Sequence, residues 1–119
     1  YLDGGNLSSL QKESGQIPID PYDYELILSY AYLSKNFGFK YIYLEAGSGA
    51  INKVPPSSVQ NISSNCDIQV IVGGGITSPI DIKEYCGTNV SAFVIGNLIE
   101  SKISVAELTK LTEVSINAE

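Results

Sequence analysis

Hydrophobic positions in this chain fall into short apolar runs that alternate with helically spaced stretches, and nearly every run stops at glycine. Tyr22, Leu26, Tyr30, Leu33 and Phe37 recur at three- and four-residue spacing, which predicts a helix with these residues on its buried face. Asp20 is placed to cap it, Pro21 suits the first helical position, Asp23 falls where a capping-box carboxylate belongs, and Gly38 supplies the stop. Tyr41-Ile42-Tyr43-Leu44-Glu45 then reads as a strand that gives way to Ala46-Gly47-Ser48-Gly49-Ala50. Pro55 and Pro56 open a weaker helical stretch to about Asn65, anchored by Val59 and Ile62. The largely β-branched run Ile68 to Val72 predicts a strand buried on both faces, ended by Gly73-Gly74-Gly75. Ser78, Pro79 and Asp81 mark a capped helix that Gly87 closes. Ala92 to Ile95 forms a further strand ended by Gly96-Asn97, and Ser104 with Glu107 caps a last helix carrying Val105, Leu108, Leu111 and Val114.

Strand starts near 41, 68 and 91 are one strand–helix unit apart. That spacing predicts an α/β fold with right-handed crossovers and a parallel sheet. At the front, Tyr1-Leu2 before Asp3-Gly4-Gly5-Asn6 resembles the end of a strand running into a loop. No methionine occurs anywhere in the 119 residues. Residues 1–119 are therefore expected to form a single partial domain of a longer chain.

Charge and composition remove several classes of function. Seven lysines, no arginine and thirteen acidic residues leave a net charge of −6, with no basic patch for nucleic acid. Histidine is absent, which removes imidazole acid–base chemistry and the usual zinc sites. No apolar stretch approaches the ~20 residues of a membrane span. Cys66 and Cys86 stand alone and read as buried neutral thiols, which points to a reducing, cytoplasmic setting.

In parallel α/β folds ligands sit at the carboxyl ends of the strands. Here three such ends are built on glycine. A phosphate monoester needs several donors aimed at one small volume, and backbone N–H groups supply them where no Cβ blocks the approach. Gly47 and Gly49, Gly74 and Gly75, and Gly96 could form such a cup without arginine, while glycine that only makes the turn is the plainer alternative. The spacing fits neither a dinucleotide fingerprint nor a Walker loop.

Glu45 is the candidate acid–base group. It ends an apolar strand directly before a glycine loop, where it can accept a proton or hydrogen bonds from a hydroxyl. The alternative is a structural pair with Lys40 or Lys53. Tyr43, two residues earlier on the same face, is either a polyol-binding phenol or core. Asn97 is either a ligand contact or a turn residue.

Three runs, Tyr43-Leu44-Glu45-Ala46-Gly47-Ser48-Gly49-Ala50, Val72-Gly73-Gly74-Gly75-Ile76 with Ser78-Pro79, and Val94-Ile95-Gly96-Asn97, together resemble the geranylgeranylglyceryl phosphate synthases, relatives of the heptaprenylglyceryl phosphate synthases. Ile17-Pro18 resembles the segment between that family's fifth and sixth strands. The resemblance implies the last four strand–helix units of a TIM (β/α)8 barrel, which is about half of the ~250 residues of a complete one. It implies a prenyltransferase of ether-lipid synthesis acting on sn-glycerol 1-phosphate and geranylgeranyl diphosphate. Carried over by position, glycerol phosphate binding falls on Tyr43, Leu44, Glu45, Ala46, Gly47, Ser48, Gly49, Gly74, Gly75, Gly96 and Asn97, with Glu45 as base for the C3 oxygen. Magnesium is implied on the leaving diphosphate, with ligands in the first strands and none in this chain. A half barrel exposes sheet edges and apolar surface, which predicts association with the missing half or with another copy. Two other readings stay open on the residues alone: a different phosphate-binding barrel enzyme, such as an isomerase or lyase, and a non-catalytic half-barrel binding module.

Overall fold

The structure, a computed structural model, describes residues 1–96 and 104–116. Short helix α1 (Ser9–Ser14) and helix α2 (Tyr24–Asn36) precede strand β1 (Tyr41–Glu45). Helix α3 (Pro56–Asn65), strand β2 (Gln69–Gly73), helix α4 (Pro79–Lys83), strand β3 (Val90–Val94) and helix α5 (Val105–Ile116) follow. The three strands form one parallel sheet in the order β1-β2-β3, with Tyr43 opposite Ile71, Glu45 opposite Gly73, and Gly73 opposite Val94. Leu2 extends this edge: its N–H donates to the Glu45 carbonyl, and it forms a parallel bridge with Ile19.

The expected strands are present with small shifts: β2 runs one residue later, and β3 starts two residues earlier than Ala92, after a left-handed turn at Asn89 (φ 62°). The β2 strand is not buried on both faces. Val70 and Val72 are fully buried, Gln69 is exposed and Ile71 is half-buried. Among the described residues, Tyr41, Tyr43 and Glu45 share the sheet face opposite the core, and both tyrosines are exposed there.

The core lies between sheet and helices, where Ile27 and Ala31 of α2 and Val59 and Ile62 of α3 pack over Leu44, Val70 and Val72. Tyr85 donates its phenol to the Val54 carbonyl and stacks edge-on against Phe93, ring centroids 5.3 Å apart. The buried face of α2 is therefore not the expected one. Tyr22, Leu26, Tyr30, Leu33 and Phe37 are all exposed. Asp20 makes a turn instead of a cap, accepting from the Tyr22 N–H, while Asp23 is the true N-cap, accepting from the Leu26 N–H at 3.1 Å. Small Ala31 beside Ile27 lets the helix approach its neighbours closely, and a hydrophobic-spacing pattern dominated by large residues does not register that. The Ser78–Asp81 and Ser104–Glu107 capping boxes form as expected. Of the two free cysteines, Cys66 is buried but Cys86 is exposed, because it follows the short α4 in a run of tight turns.

Candidate functional site

The carboxyl ends of β1, β2 and β3 open into one cavity of about 380 Å³. It is lined by Tyr43, Glu45, Gly47, Ser48 and Gly49 from the first unit, by Gly74, Gly75, Ile76 and Thr77 from the second, and by Val94 and Gly96 from the third. The three glycine loops thus converge, as a phosphate cup requires. Leu44 and Ala46 do not line it. Their side chains are turned into the core, and Ala46 contributes its backbone, donating to the Gly73 carbonyl at 3.0 Å. Asn97 lies outside the described residues.

Positive φ values at Gly47 (103°), Gly49 (70°), Gly74 (81°) and Gly75 (69°) shape the loops. At Gly75 a Cβ would lie 2.7 Å from the Lys53 backbone. No side chain fits that approach. Among the described residues, no hydrogen bond takes the N–H of Gly74 or Gly75, and unclaimed loop amides are the donors an anion site is built from.

Glu45 is held in a definite posture. Its Oε1 accepts from the Gly47 N–H at 2.6 Å, and its Oε2 accepts from the Tyr43 phenol. Burial, reinforced by the neighbouring carboxylate, holds the Tyr43 phenol well above its ordinary ionisation range. Tyr43 therefore remains a donor at physiological pH. The Gly47 amide is thereby used on Glu45 and not on a ligand, so the loop after β1 positions a carboxylate while the loop after β2 presents open donors. The alternative of a Glu45–lysine pair does not form with Lys53, which bonds Asp81 at 2.7 Å and Glu84 at 2.9 Å instead.

Five lining residues were not among the expected site residues: the apolar Ala50, Ile76 and Val94, and the polar Thr77 and Glu13 of α1. The signal for α1 was present: Ser8 caps it by accepting from the Gln11 N–H at 3.1 Å, and Ser-x-x-Gln is a capping-box pattern. Gly15 ends the helix at φ 65°. This segment braces the cup, since Asn6 donates to the Gly49 carbonyl at 3.0 Å and a Cβ on Gly47 would stand 2.8 Å from the Ser8 Cβ. Among the described residues no three Asp, Glu, Cys or His side chains gather as a metal site. The described residues thus do not gather a ligand set for a magnesium ion. No described helix is long and apolar enough to cross a membrane.

Parallel strand–helix units with glycine loops at their carboxyl ends define a piece of a TIM barrel. Similarity narrows this further. Residues 13–115 match the PcrB family, and the chain belongs to that family. It is 42% identical over 93 residues to the geranylgeranylglyceryl phosphate synthase of Metallosphaera sedula, covering 77% of this chain and 37% of that protein. It is 39% identical over 101 residues to the Methanopyrus kandleri enzyme of the same name, covering 84% and 42%. The crystal structure of (S)-3-O-geranylgeranylglyceryl phosphate synthase from Thermoplasma acidophilum in complex with its substrate sn-glycerol-1-phosphate superposes with a TM-score of 0.79 at 31% identity, over 89% of this chain and 43% of that one. The chain spans less than half the length of these relatives, and its units correspond to the C-terminal half of their barrel.

Proposed function

We propose that this chain forms the glycerol phosphate-binding half of a cytoplasmic prenyltransferase that joins sn-glycerol 1-phosphate to geranylgeranyl diphosphate through an ether bond. The observation that carries the reading is the one cavity that Gly74, Gly75 and Gly96 line together with the oriented Glu45 carboxylate. The phosphate seats on the Gly74, Gly75 and Gly96 loops. A monoester so held needs no cationic side chain, because oriented amides supply the positive potential.

The glycerol hydroxyls then lie toward Glu45, with Tyr43 and Ser48 on the same wall. As the C3 oxygen forms its bond to the first prenyl carbon, the bond from that carbon to the diphosphate breaks. Pyrophosphate leaves with the electron pair, and the hydroxyl proton passes to the Glu45 carboxylate. Magnesium accompanies the diphosphate in this proposal, with ligands outside this chain. The sheet face on which Tyr41, Tyr43 and Val94 are exposed is the surface that the rest of a barrel or a second copy covers.

The test is product analysis with the protein at its full encoded length, supplied with labelled geranylgeranyl diphosphate, magnesium and either enantiomer of glycerol phosphate. The expected result is an ether product from sn-glycerol 1-phosphate. Absence of an ether product with any polyprenyl diphosphate would overturn the reading in favour of another phosphate chemistry.

A further inference from the structure

The glycine triplet at the end of β2 contains one glycine that neither the backbone nor the anion cup explains. Gly74 and Gly75 need to be glycine for main-chain reasons, whatever else they face: both have positive φ, and a Cβ would strike backbone, at Gly47 (2.7 Å, besides Glu45 Oε1 at 2.6 Å) and at Lys53 (2.7 Å) respectively. Gly73 differs on both counts. Its φ lies outside the left-handed region, so its backbone accepts any L residue. It sits in the β1–β2 ladder directly opposite Glu45. A Cβ there would meet the Tyr43 phenol oxygen, the Tyr43 Cε2 at 2.9 Å and the Glu45 Oε2 at 2.9 Å. These are the far ends of two side chains and not main chain. A methyl group at position 73 could be accommodated, but only by pushing that pair aside.

We infer that Gly73 is a positioning residue, kept free of a side chain so that Tyr43 can reach across the sheet and hold Glu45 in its reactive posture. The triplet therefore divides its work. Gly73 clears space for the carboxylate and its phenol donor, while Gly74 and Gly75 turn the chain and open their amides. This rests on the proposed role of Glu45 as proton acceptor and extends it to the residue that sets its orientation.

A double-mutant cycle tests it. Gly73→Ala, Tyr43→Phe and the combined variant are made in the full-length protein, with kcat, KM for sn-glycerol 1-phosphate and Tm measured for each. Gly73→Ala is expected to melt within a few degrees of the parent and to lose about 100-fold in kcat, with KM within about threefold, as for a misplaced reacting group. Phenylalanine at 43 removes the nearest atom that the new methyl would strike and also the donor whose hold on Glu45 the methyl would break. In that background the Gly73→Ala penalty should shrink to about threefold or less.

An undiminished kcat in Gly73→Ala overturns the inference, and so does a penalty of equal size in both backgrounds. Failure of Gly73→Ala to fold also overturns it, because the backbone would then be what requires glycine. If the parent protein makes no ether, the functional reading fails separately and a crystal structure of Gly73→Ala decides the packing claim. A Glu45 still bonded to both Tyr43 and the Gly47 N–H would refute it, and a displaced carboxylate would sustain it.

Discussion

Two carboxylates stand at the mouths of neighbouring strands and have opposite surroundings. Glu45, at the end of β1, accepts from a phenol and one amide, and among the described residues it has no cation. Asp81, in the first turn of α4, accepts from the Lys53 ammonium at 2.7 Å, from the Thr77 and Ser78 N–H groups at 2.9 Å each, and from both of their hydroxyls. An ionised carboxylate offers about four acceptor sites. Asp81 is saturated by its own protein, whereas Glu45 is oriented by two bonds and keeps capacity for a ligand hydroxyl. Both residues sit beside the same ring of loops. What separates a reacting group from a structural one here is unspent hydrogen-bonding capacity facing the cavity.

The largest effect should come from Glu45→Gln, which preserves shape and removes the proton acceptor. In the full-length protein kcat is expected to fall about 100- to 10,000-fold, with sn-glycerol 1-phosphate affinity changed by less than about threefold. Steady-state kinetics paired with calorimetric titration would check this. Unchanged turnover would place Glu45 with Asp81 as a loop-holding group and erase the contrast.

Asp81→Ala should act on stability instead. It removes an N-cap network and the partner of Lys53, at a cost of about 2 kcal/mol in denaturant unfolding. The pH dependence gives a second signature. Burial alone would raise the Asp81 carboxyl, but Lys53 and the Thr77 and Ser78 donors outweigh it and hold it well below the ordinary 3.8. A depressed folded-state pKa stabilises above the unfolded value and is lost as pH falls through the folded one. The stability gap between parent and variant should thus be constant near neutrality, begin to narrow below about pH 4, and close only in stronger acid. A gap that closed between pH 5 and 6 would mean that Asp81 is not the saturated group described.

The same contrast explains how much could be read before the fold was known. Strand ends, turns and caps depend on local chemistry, so β1, the triple glycine and the Ser78–Asp81 box were legible to within a residue or two. The convergence of three loops followed from parallel spacing, and cavity-lining Glu45, Gly74, Gly75 and Gly96 were found that way. Tertiary packing was less legible. The α2 face was misjudged because tyrosines weigh heavily in any apolar pattern. Two on this helix bridge to α3 through their hydroxyls, Tyr24 to Ser57 Oγ at 3.0 Å and Tyr32 to the Asn65 carbonyl at 2.6 Å. The partner of Lys53 was equally hidden, since Asp81 lies 28 residues away. Nor could the strand pattern alone show that Gly47 would spend its amide on Glu45, because that bond depends on how sharply the chain turns after Ala46.

The smallest expected effect isolates the cation itself. Lys53→Met keeps the aliphatic stem of the side chain and leaves Asp81 with its four neutral donors, so most of the cap survives. The Glu84 arm of the pair is half-exposed and contributes little. Stability should fall by about 0.5–1 kcal/mol, and by less in high salt. Burial pulls the Lys53 ammonium down, but Asp81 and Glu84 prevail and raise it above its ordinary 10.5. Its contribution is therefore complete below that value and disappears as pH rises through the folded-state one. Chemical denaturation of parent and Lys53→Met at neutral and strongly alkaline pH would show the two curves converging. A loss larger than that of Asp81→Ala would reverse the assignment: the ion pair and not the cap would be what Asp81 is for, and saturation by neutral donors would no longer distinguish it from Glu45.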